Sequence, residues 1–182
     1  MDSWDWAKGI DVFKALTPFI LALIVYLVWH KQKEKEVIAS EAKHSLLVLN
    51  EILALLSEVI NHDRENIGKK FDEDGRKELK IYIKEKFLIL DQKKNQLLYS
   101  MIFISDAKHD EKLVGLISEG NKKLTLDLIN LERLMIRNID KDDKNEKASI
   151  EIYEKIFEIR KSIVFSIYST KKLLVKYALY RA

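Results

Sequence analysis

The chain contains no cysteine. That excludes disulfide frameworks, thiolate nucleophiles and thiolate metal sites, while leaving the compartment open. Proline occurs once and glycine five times in 182 residues, so few positions favour sharp turns and long helices are expected. Neither sign of charge dominates. Lys and Arg total 32 against 29 Asp and Glu, for a formal net charge of +3, too small an excess to imply a nucleic-acid partner. Gly-x-Gly-x-x-Gly, Walker A, His-Glu-x-x-His and Gly-x-Ser-x-Gly patterns are all missing; "SEGNKK" (118–123) lacks the glycine spacing a phosphate loop needs. Nothing points to an enzyme, a cofactor or a small-molecule substrate.

Four histidines are present, His30, His44, His62 and His109. "EAKH" (41–44) has the Glu-x-x-His form used in helix-bundle metal sites, but such a site needs a second unit and further inward glutamates. The nearest counterpart, "DAKH" (106–109), falls in an expected turn, so the unit reads as a solvated pair. Carboxylates elsewhere alternate with lysines, as in "DEDGRKELK" and "DKDDKNEK", the pattern of a solvated helix face. The acidic stretch 140–144 lacks the calcium-loop arrangement.

What the chain does contain is one long apolar run. Ala15 to Trp29 are fifteen consecutive uncharged residues, nearly all strongly apolar. As a helix they rise about 22 Å, somewhat short of the roughly 20 residues that span a bilayer core. The flanks extend them. Val12 and Phe13 continue the apolar surface, Lys14 and Lys31 can snorkel, and Trp4, Trp6, Tyr26 and Trp29 suit the two interfaces. Pro18 lies near the start of the run, where its missing N–H matters less. The run is apolar on every face, which disfavours a core helix of so small a domain. It also lacks the positive leader and small-x-small site of a cleaved signal. Residues 1–30 are therefore expected to form a short N-terminal tail and a transmembrane anchor, and residues 31–182 a separate helical bundle domain. Lys31, Lys33 and Lys35 follow it, whereas Asp2, Asp5 and Asp11 outnumber Lys8 and Lys14 before it. The positive-inside rule then puts the N-terminus outside and the body in the cytoplasm.

Residues 31–182 read as a helical domain. Ile38, Ala42, Leu46, Leu49, Leu53, Leu56 and Ile60 recur at spacings of three and four, predicting that the anchor continues as one helix to about residue 61. Asn61, Asp63, Gly68 and Gly75 mark a polar connection, with a short turn packed through Ile67 and Phe71. A second helix, about 76–104, carries Leu79, Ile83, Phe87, Leu90, Leu97, Met101 and Ile104, with Lys94 filling one gap. "SDAKHDE" (105–111) reads as a turn, with Ser105 or Asp106 capping a third helix over about 108–139. That helix is marked by Leu113, Ile117, Leu124, Leu128, Leu131 and Met135, and Gly120 and Asn121 are a point where it can bend or split. After a solvated linker, 141–147, a fourth helix over about 147–180 carries Ile152, Ile156, Ile159, Ile163, Ile167, Leu174 and Ala178. Four such segments with short links predict an all-α chain in which a single N-terminal transmembrane helix continues into an antiparallel four-helix-bundle-like domain.

In an up-down bundle the turn near 105–111 and the C-terminus return to the membrane. After Glu158 the chain has no acidic side chain, and Arg160, Lys161, Lys171, Lys172, Lys176 and Arg181 interleave with Phe165, Tyr168, Tyr177 and Tyr180. Lys31, Lys33, Lys35, Lys171, Lys172, Lys176, Arg181, Tyr177 and Tyr180 are the candidate contacts with anionic headgroups; an ordinary basic helix end facing its dipole is the plain alternative. The expected role is non-catalytic: an anchored adaptor or assembly subunit that holds a protein partner at the inner membrane face. The tail "LLVKYALY" can dock a partner, and the long first helix suits coiled-coil self-association. A membrane-bound ligand sensor or regulator, or a membrane-active effector, is the alternative.

Overall fold

The computed structural model describes residues 6–65, 71–140 and 146–179. These form four α-helices: α1 (Trp6–Glu65), α2 (Glu73–Lys108), α3 (Glu111–Ile139) and α4 (Glu146–Ala178). No strand occurs among them. The packing pairs are α1 with α2, α2 with α3, α3 with α4, and α4 with α1. The helices thus stand at the corners of a square, with α2 and α4 on one diagonal, in an all-helical bundle.

Length decides what the core can contain. Helix α1 has 60 residues, whereas α2, α3 and α4 have 36, 29 and 33. At 1.5 Å per residue α1 is about 90 Å long and its partners about 45–55 Å. Part of α1 must therefore project without neighbours. Every residue from Ile10 to Val37 is exposed, and burial begins abruptly at Ile38 and Ala39. The apolar run is not a core helix. Pro18 is an interior residue of α1, not one near its start. It deprives the Lys14 carbonyl of its usual donor, and the Thr17 hydroxyl donates to the carbonyl one residue earlier, that of Phe13, at 2.7 Å.

One continuous core runs from Ile38 to Ala178. The apolar stripes read from the sequence supply most of it. All seven apolar positions of α2 and all six of α3 are buried. In α1 the buried strip is wider, since Val48, Ile52 and Val59 join Leu49 and Leu56 while Leu46 and Leu53 are only partly buried. Ile159 of α4 is likewise at the margin. Helix α3 passes Gly120 and Asn121 unbroken.

Two helix boundaries differ from the sequence expectation. Asn61 and Asp63 belong to the last turns of α1; Ile67 lies outside the described residues, and Phe71 packs against the core as expected. The α2–α3 turn is reduced to His109 and Asp110. Ser105 and Asp106 stay in α2, and Asp110 caps α3 by accepting from the Leu113 N–H at 3.1 Å. Ser105 is buried, with its hydroxyl donating to the Asp110 carbonyl at 3.0 Å. A run of polar residues looked like a loop, but one buried serine hydroxyl satisfies the turn from inside the helix. His109 closes α2 with φ 53°, the left-handed conformation that usually falls to glycine or asparagine. At the other end Asp72 caps α2, accepting from the Gly75 N–H at 2.8 Å, with Glu73 and Asp74 facing the helix dipole.

Glycine and leucine on α3 separate intrinsic helix propensity from packing. A Cβ at Gly120 meets nothing within 4 Å, so Gly120→Ala should stabilise the bundle by about 0.5–1 kcal/mol. Leu131 is fully buried, and Leu131→Ala should cost about 2–5 kcal/mol. Denaturant unfolding of the two variants would check the opposite signs.

Candidate functional site

The heights of the helices are fixed by side-chain pairs along their seams. Between α1 and α2, Lys86 meets Glu58 at 2.7 Å and Lys93 meets Glu51 at 2.6 Å. Further along that seam the Gln96 amide meets the His44 ring at 2.9 Å, and Ser100 donates to Glu41. Glu41 and His44 therefore each face α2 and do not form a joint ligand pair. Among the described residues no group of three metal-ligating side chains comes together. Lys80 pairs with Asp140 between α2 and α3. Between α3 and α4, Ser162 donates to Asp127 at 2.7 Å, and Asn138 donates to the Tyr153 hydroxyl at 2.7 Å.

This register brings the α2–α3 turn and the end of α4 to the end of the bundle from which bare α1 emerges. Lys31, Lys33 and Lys35 are exposed there, with Lys33 paired to Glu36 at 3.1 Å. Lys172 and Lys176 are exposed, Lys171 is half-buried, and Phe165 and Tyr168 are exposed beside them. Tyr177 departs from its expected place. It is 8 % exposed and part of the core. Burial raises its pKa, and hydrogen bonding with Asp110 adds to the rise, so the ring ties α4 to the α2–α3 turn and is not free for headgroups. Tyr180 and Arg181 lie outside the described residues, as do Trp4 and the side chain of Trp6.

Two interior features bear on ligand binding. Lys94, which interrupts the α2 stripe, is 6 % exposed. Its stem lines a narrow slot with Leu49, Leu97 and Met101, and its ammonium reaches Asp91 at 2.5 Å, as a snorkelling lysine does. The slot holds about 40 Å³, enough for a water or two and far below the roughly 300–1,000 Å³ of a small-molecule site. On the surface, an open groove of about 440 Å³ runs between α3 and α4, bounded by Leu116, Gly120, Phe165 and Leu173.

At the far end of the bundle the structure adds a residue that sequence reading placed in a connection. Asp63 is 5 % exposed. Burial raises its pKa to about 6, partly opposed by a hydrogen bond from Asn138, which also donates to Tyr153. Only the tertiary structure, which brings the Asn138 side chain of α3 to the end of α1, reveals this. No family model matches the chain, and no curated protein or solved structure matches it either.

The Asp63 shift carries a definite sign. Its folded pKa exceeds the unfolded value of 3.8, so the folded state holds the proton more tightly and stability falls as pH rises from about 4 to about 6. Asp63→Asn removes that loss. Above pH 7 the variant should be the more stable by up to about 3 kcal/mol, and the gain should vanish near pH 4. Paired thermal melts across pH would read the crossover.

Proposed function

We propose that this chain is a non-catalytic, membrane-anchored helical adaptor or assembly subunit, with its N-terminus outside and its bundle holding a protein partner at the inner membrane face. The observation that carries this reading is the bare stretch of α1. Its most apolar 18-residue window has a mean hydropathy of 2.1, and none of that window is buried. Exposure continues around every face from Ile10 to Val37. A protein neighbour covers one face of a helix, whereas lipid covers all of them. The lysines after the run support the orientation. Lys31, Lys33, Lys35, Lys171, Lys172 and Lys176 share the bundle end nearest the run, which supports their contact with anionic headgroups. The small interior slot favours an adaptor over a ligand sensor, and the absence of charge from Ala15 to Trp29 disfavours an ion path built from this segment.

Alkaline carbonate should leave the full chain in the membrane pellet, and release into the supernatant would overturn the anchor. A fragment of residues 31–182 keeps the whole core and should be soluble and helical without detergent. Charge reversal of Lys171, Lys172 and Lys176 in that fragment should reduce co-sedimentation with anionic vesicles and leave neutral vesicles unaffected. Equal binding by the reversed fragment would remove headgroup contact from the proposal.

A further inference from the structure

Helices α2 and α4 each carry a second apolar stripe, on the side away from the core. On α2 it contains Ile81, Leu88, Tyr99 and Phe103, and on α4 Ile150, Phe157, Tyr168, Val175 and Leu179, all exposed. Ile81, Leu88 and Tyr99, and their counterparts Ile150, Phe157 and Tyr168, are each at least 52 % exposed. Because α2 and α4 occupy opposite corners and do not make one of the packing pairs, the stripes look outward on opposite sides of the bundle. Both helices run toward the end from which bare α1 emerges.

The two stripes match in spacing and in height. The sequence separation is the same for Ile81 and Ile150, Leu88 and Phe157, and Tyr99 and Tyr168. Residues with this separation lie near one another along the bundle: Leu97 and Met101 of α2 line the same interior slot as Ser166 and Thr170 of α4, pairs of the same spacing. Copies anchored by the same segment share one height and one direction, so the α2 stripe of one copy meets the α4 stripe of the next with each of these three pairs in register. The flanks are complementary. Exposed Lys84 of α2 falls near the height of exposed Glu154 of α4, and Asp106 near that of Lys172 and Lys176. Pairing α4 with α4 would instead set Lys161 against Lys161 and Lys172 against Lys172.

The geometry points to a second copy of this chain as the partner of each stripe, with α2 of one copy packed parallel to α4 of the next. This rests on the anchored reading, which supplies the common height. Such a head-to-tail contact uses different surfaces on its two sides and therefore propagates, as a ring or a row on the membrane.

The natural chain has no cysteine, so introduced pairs report alone. Full chains carrying Leu88→Cys or Phe157→Cys are co-expressed and oxidised in isolated membranes, beside a chain carrying both substitutions. Neighbouring Cα atoms within disulfide reach should give a mixed dimer from the pair and a ladder of oligomers from the double variant. Leu88→Cys with Tyr168→Cys, displaced by about 16 Å, should lose the ladder. A dimer from Phe157→Cys alone would mean that α4 packs on α4, and equal crosslinking of the displaced pair would mean no register; either overturns the inference. Retention in the carbonate pellet without a ladder overturns this inference alone and leaves the stripes to lipid or another protein. Release from the pellet overturns the anchored reading and, with it, the common height.

Discussion

The structure depends on one mismatch of length: a 60-residue helix packed against three helices of 29–36 residues. Packed side by side, the partners cannot cover all of α1. The chain spends their cover on Ile38 to Ile60, where apolar residues occupy one side, and leaves uncovered the segment that is apolar all round. The magnitude shows how much burial this division leaves unused. Leaving large side chains from Leu16 to Trp29 in water forfeits about 1.5–3 kcal/mol each, in sum on the order of 20 kcal/mol. An apolar environment that reaches every face, such as the bilayer of the proposed anchor, would recover that burial.

Two kinds of interaction divide the work within the bundle. The apolar core from Ile38 to Ala178 supplies cohesion, but stripes of leucine and isoleucine tolerate sliding by a turn. The seams of paired side chains remove that freedom. Glu58 with Lys86, Glu51 with Lys93 and Glu41 with Ser100 hold α1 to α2 at three heights. Exposed pairs of this kind contribute little to stability, so their consequence is register. Register in turn places the α2–α3 turn and the basic end of α4 at the level where α1 leaves the bundle.

Much of this was legible from residue spacing. The six residues of the α3 stripe are its six buried residues, and the continuity of α1 follows from the absence of any breaker between Trp29 and Ile60. The misreadings share a cause. Ser105, Asp63 and Tyr177 were read from their polarity as turn, connection and surface, yet all three are buried. Each is satisfied by a partner distant in sequence or across the turn: Asp110 for Ser105 and Tyr177, Asn138 for Asp63. Periodicity identifies a face, but it does not tell which polar groups find partners behind it.

The outer stripes were missed for a related reason. Leu79, Ile83 and Phe87 define the inner face of α2 and leave Ile81 and Leu88 outside it, as Ile156 and Ile167 leave Phe157 and Tyr168 outside that of α4. In a lone soluble bundle such residues would call for no explanation, because single exposed apolar residues are ordinary. The proposed anchoring changes their meaning. Free copies in solution can meet at any height and angle, and a scattered stripe selects nothing. Copies held upright by the proposed span would meet at a common height, and a matched spacing on two opposite faces would then become a rule for assembly. The two proposals are thus linked: an anchor in the bare half of α1 would set the plane in which the outer faces of α2 and α4 recognise each other.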